Sequence, residues 1–175
     1  MRFAALVALA LPFARALSGA AGPTKTPSSL QDLMLEQLDP SADALWAAVG
    51  SVVTLKGETT RAPRSESEWN ALRGRAEALA AGARRLREPG WRVLPLAGAR
   101  ASADLRDDAE VERRIGADPA VFAGFAAALG VATAQAQIAI GRHDAAALTD
   151  AGDEIEQACE ACHLAFWYPS VRSGP

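Results

Sequence analysis

Several things are missing from this chain, and each absence narrows what it can be. No stretch alternates apolar and polar residues as a half-buried strand would. No internal repeat or low-complexity block stands out. The formal charge is only −3, with no basic cluster of the kind that tracks a phosphate backbone, so nucleic acid is not an expected partner. No cysteine stands near the N-terminus to take a lipid. Beyond the first residues no second long apolar stretch is evident, so no span of a bilayer is expected in the remainder. Cysteine, histidine and methionine occur twice each in 175 residues.

That scarcity gives weight to where the rare residues stand. Both cysteines and one histidine fall in Cys159-Glu160-Ala161-Cys162-His163. C-x-x-C-H reads as an attachment site for a c-type haem. Residues i and i+3 share one side of a helix, so two thiols at this spacing can each form a thioether with a vinyl group on one porphyrin edge. The adjoining histidine then offers a nitrogen to the iron. Three other readings compete. A thioredoxin-like pair needs a βαβ setting and a helix N-terminus, and here the motif ends a helical stretch. A structural zinc site needs four ligands, and the other histidine, His143, lies 20 positions away, roughly 30 Å along a continuous helix. A plain disulfide gives the neighbouring histidine no role.

Residues 1–20 read as a secretory signal: Arg2, an apolar run from Phe3 to Ala14, and the small residues Ser18-Gly19-Ala20 at a cleavage site. An uncleaved anchor is the competing reading. Loss of these residues removes Arg2 and Arg15 and no acid, taking the formal charge to −5. Attachment of c-type haem takes place outside the bacterial cytoplasm, so a periplasmic protein is the consistent expectation. Residues 21–28 read as a flexible lead-in, and 29–175 as one domain.

Helical spacing dominates that domain. Leu30, Leu33, Met34 and Leu38 start a first helix near Ser29. Asp39-Pro40 then resembles an N-cap followed by proline at N1, and Leu45, Trp46, Val49 and Val53 resume the pattern. One kinked helix or two stacked pieces are expected from about 29 to 55, followed by a polar loop over 56–64. Ser65 and Glu68 form a capping box before the stripe Trp69, Leu72, Ala76, Leu79, Ala83 and Leu86. Residues 91–117 read mainly as loop, with a short charged helix from Leu105 to Ile115. Asp118-Pro119 starts a third stripe through Phe122, Phe125, Leu129, Ala132, Ala136 and Ile140, with Gly141 as its C′ residue. Asp144 caps a last helix whose stripe is Leu148, Gly152, Ile155, Cys159, Cys162 and Phe166. The expected fold is all-α, an antiparallel four-helix bundle with haem inside near the C-terminal helix.

With these features the chain resembles the class II c-type cytochromes, the cytochrome c-prime family, and within them the low-spin, methionine-ligated members. The resemblance rests on helix order, on Cys159 to Phe166, and on the segment around Met34. Trp167 stands where the family often has a basic residue. The resemblance implies one covalent haem c on Cys159 and Cys162, His163 as proximal ligand and Met34, from the first helix, as sixth ligand. It implies an electron carrier rather than an enzyme, working with a redox partner the sequence does not name, and a family that often pairs through its helices as a homodimer. Met34 is the single methionine left once residues 1–20 are gone. If it is not on the iron, the alternative is a five-coordinate protein binding NO or CO, with Leu30, Leu33 and Trp46 lining its pocket. A peroxidase would want a distal acid–base group, for which His143 is misplaced.

Overall fold

A computed structural model describes residues 28–95 and 104–169. The expected signal segment, the lead-in up to residue 27 and part of the expected 91–117 loop lie outside the described residues. The described chain is mostly helical. It runs α1 (Leu30–Leu33), a π-helical turn (Met34–Leu38), α2 (Asp39–Ala48), β1 (Gly50–Thr54), β2 (Gly57–Arg61), α3 (Glu66–Leu86), α4 (Asp108–Ala117), α5 (Pro119–Gly141) and α6 (Ala145–Phe166).

The first helix starts where the sequence places it: Ser29 accepts a hydrogen bond from the Asp32 N–H at 3.1 Å. Of the two readings of this stretch, one kinked helix or two stacked pieces, the chain is the continuous one: α2 begins at Asp39 directly after the π turn, with no capped break. Asp39 has helical backbone angles (φ −57°, ψ −50°), makes no side-chain cap, and donates its N–H to the Met34 carbonyl five residues back. Proline has no N–H and its ring crowds the preceding turn. A π turn just before Pro40 widens the helix there and lets it continue.

The C-terminal end of that helix differs more. It stops at Ala48, and residues 50–61 form an antiparallel hairpin where helix and polar loop were expected. Helical spacing from Leu45 to Val53 runs across the point where the chain leaves the helix: Val49 is already extended (φ −129°, ψ 167°), and Gly50 follows at φ +125°. Val52, Val53 and Thr54 are β-branched and favour strand. Gly57, at φ +114°, supplies the left-handed residue that closes the turn. The hairpin adds little to the core, since Val53 and Leu55 are exposed. Arg61 ties it to α2 through a 2.9 Å hydrogen bond to the Ala47 carbonyl.

The other helices start on their expected caps. Ser65 and Glu68 make the capping box of α3, and Asp118 and Asp144 accept from the N–H groups of Val121 and Ala147. Short α4 begins on Asp107 and buries Val111 and Ile115. Glu112 accepts from Arg92 Nε (3.0 Å) and the Val93 N–H (2.9 Å), and these hydrogen bonds hold its carboxyl below the usual range. One C-terminal expectation moves by two residues. Gly141 is still helical, and the left-handed residue between α5 and α6 is His143 (φ +54°).

Helix α5 packs against both α3 and α6, α2 packs against both α3 and α6, and all four contribute to the buried core. Leu45, Leu79, Ile140, Leu148 and Ile155 are fully buried there, each worth about 1.5–3 kcal/mol. Helix α5 also corrects the expectation of no second long apolar stretch: it is long and apolar enough to cross a membrane. Its alanines concealed this from a reading tuned to large side chains. Phe122, Ala126, Leu129, Ala136 and Ile140 form its buried stripe.

Candidate haem site

The last two turns of α6 carry Cys159, Cys162 and His163. The first helix carries Met34 at the start of its π turn. All four line one partly open cavity of about 280 Å³. Its walls are apolar: Leu38 from the π turn, Leu79 and Leu86 from α3, and Phe125 and Leu129 from α5. The volume falls just short of the usual range of ligand pockets, about 300–1,000 Å³.

Both cysteines are free thiols and half-buried. Burial pushes Cys159 up to about 11, helped by the charges of Asp39 and Glu156. Burial pushes Cys162 up to about 12, with Cys159 adding to it. These are the reverse of a redox-active C-x-x-C pair, whose nucleophile needs a lowered pKa. Among the described residues no group of three or more His, Cys, Asp or Glu side chains is arranged to hold a metal ion.

His163 is backed by Trp167, edge to face with ring centroids 5.6 Å apart. The Trp167 N–H donates to the His163 carbonyl at 2.8 Å, closing the helix. Phe166 enters the core and meets Phe122 and Phe125 edge-on at 5.3 and 6.1 Å. His143 sits away from the cavity. Its ring stacks on Trp69 at 5.0 Å, and its Nδ1 lies 3.6 Å from Glu66.

Asp39, which sequence reading did not select for it, also lines the cavity, and so does Trp46, expected around the pocket of the gas-binding alternative. Although Asp39 reaches solvent, the apolar wall behind it raises its carboxyl pKa, the His163 imidazole lowers it, and Asp43 raises it. Trp46 closes one side, its Nε1 donating to the Gly152 carbonyl at 3.0 Å. A side chain at Gly152 would stand 3.1 Å from Trp46 Cδ1, so the glycine in the α6 stripe makes room for the indole. That glycine was the visible signal for the approach of α2. Leu30 and Leu33, expected around a gas pocket, are fully buried and do not line this cavity.

A larger cleft of about 1080 Å³ lies between residues 86–95 and α4. Its lining holds no cysteine, histidine or methionine. Compared with family models, curated proteins and solved structures, this chain matches none.

Proposed function

We propose that this protein is an exported electron carrier with one c-type haem, joined through thioethers to Cys159 and Cys162. In this reading His163 is the proximal ligand, Met34 the sixth, and α2, α3, α5 and α6 form an antiparallel four-helix bundle around the haem. The observation that carries it is the convergence of the Cys-x-x-Cys-His run and Met34, 125 residues apart at Met34 and Cys159, on one apolar cavity. The donor set fits the group: two thiols at i and i+3, one imidazole, one soft thioether, and walls of Leu and Phe. When bound, such a haem supplies a one-electron couple whose potential histidine–methionine ligation raises.

The chain's own residues do the rest. Leu38, Leu79, Phe125 and Leu129 keep water from the inner face of the cavity. Trp167 backs His163, and Trp46 closes the α2 side. A thioether on Met34 would leave no vacancy for small ligands, which suits a carrier better than a catalyst. No partner is named by these features.

The test is an alkaline pyridine spectrum of protein matured in an export-competent host. Covalent haem gives the spectrum of a two-thioether c-type haem, and the pigment stays with the polypeptide in acid–acetone. Colourless protein, or pigment lost to the solvent, refutes the reading.

A further inference from the structure

Met34 occupies the first position of a π turn, a conformation that is rare and occurs mostly as single-turn bulges inside α-helices. Such a turn must be held in place by its surroundings. Three contacts do so here. Pro40 favours the widened ladder from the C-terminal side, as described above. Gln37 Nε2 donates to the Ala78 carbonyl of α3 at 2.8 Å. Leu38, almost fully buried, packs onto the bare backbone of Gly82. A Cβ at Gly82 would overlap Leu38 Cδ2 and lie 3.2 Å from its Cγ and 3.4 Å from Gln37 Nε2. Gly82 lies between Leu79 and Leu86, two walls of the cavity on the same helix. Other described glycines of α3 and α5 do not behave this way: at Gly74, Gly124 and Gly130 a Cβ would meet nothing within 4 Å.

A π bulge inserts about one residue, on the order of 100° of helical turn. Collapse of the turn to regular α-helix would swing Met34 around the helix relative to Asp39, Ala42 and Trp46, which share its cavity. Whatever fixes the turn therefore fixes the direction of the thioether. We propose that Gly82 is a positioning residue for Met34: its missing side chain seats Leu38, locks the π turn, and keeps the methionine sulfur aimed into the cavity. This rests on the haem reading above.

The experiment compares haem-loaded wild type with Gly82→Ala, Gln37→Leu and the control Gly74→Ala. Protein processed after Ala20 has Met34 as its single methionine, so [¹³C-methyl]methionine labelling gives one methyl signal. In wild type that signal is shifted strongly by the ring current, and ferrous protein ignores carbon monoxide. Gly82→Ala is expected to move the methyl toward its unligated position and to raise the CO-binding fraction from a trace to a majority, with far-ultraviolet circular dichroism unchanged. Gln37→Leu is expected to shift both readouts part of the way, and Gly74→Ala neither. A folded Gly82→Ala that keeps the wild-type methyl signal and CO insensitivity overturns the proposal. If Gly82→Ala does not fold, an unperturbed Gln37→Leu overturns it. Pigmented wild type with an unshifted methyl refutes ligation by Met34 itself, and colourless wild type refutes the haem reading.

Discussion

Cys159 and Cys162 sit among apolar side chains with carboxylates nearby, and this determines how the bare polypeptide should behave. Their thiols are pushed to about 11 and about 12, from an ordinary value of 9.0. Haem-free protein made without residues 1–20 should therefore react slowly with iodoacetamide at pH 8, with the rate climbing only toward pH 11. Rapid alkylation at neutral pH would mark a thioredoxin-like pair instead. The linkage sign follows from the same shifts. A folded-state pKa above the unfolded value favours the native fold below pH 9, and that contribution is lost as pH rises through 11 to 12. Denaturant midpoints of haem-free protein should fall over that window. Trp46 gives a second residue-scale test. Gly152→Ala places a methyl against the indole, and overpacking of this kind costs about 1–3 kcal/mol. The melting temperature should drop and the Trp46–Gly152 hydrogen bond should be lost. An unchanged melting temperature would show that the α2–α6 contact is loose.

Elements were legible where capping chemistry and apolar spacing agreed. Ser65, Asp118 and Asp144 announced three long helices, and each accepts the hydrogen bond its position implies. Ser65→Ala should cost about 1 kcal/mol, read from urea midpoints; no change would mean that the capping box is dispensable. The failures have physical causes. Asp39-Pro40 presents the same dipeptide as Asp118-Pro119, yet only the second makes a capped helix start. Leu33, Met34 and Leu38 upstream of Pro40 are held by tertiary contacts, and those contacts override the local signal with a π turn. The hairpin was missed because Val49 and Val53 fit helical spacing, whereas Val49 is extended and Gly50 takes a positive φ. Val53 and Leu55 are exposed, so changing both to serine should alter stability by no more than about 0.5 kcal/mol each. A larger loss would show that the hairpin packs on something.

At the scale of the molecule, charge is unevenly spread in a way that a net value hides. The first helical segment carries Asp32, Glu36, Asp39 and Asp43 and no lysine or arginine. Helix α6 carries Asp150, Asp153, Glu154, Glu156 and Glu160, again with no lysine or arginine. These segments bear the donors of the cavity, whereas Arg73, Arg75, Arg84 and Arg85 belong to α3. Oxidation of reduced protein by a cationic cobalt complex should outpace that by an anionic complex of equal driving force, and the gap should close as salt screens the field. Equal rates at low salt would mean that electrons leave elsewhere. The sequence singled out Cys159, Cys162, His163 and Met34 because they are rare residues in telling positions, and all four line one cavity. It could not show Asp39 or Gly82, because their roles depend on which helices meet. The covalent haem itself is tested most directly by the intact mass of exported, processed protein under denaturing conditions. The expected result is the polypeptide plus one haem, lost when Cys159 and Cys162 are both changed to alanine. A mass equal to the bare chain, or to the chain less two hydrogens as for a disulfide, would contradict it.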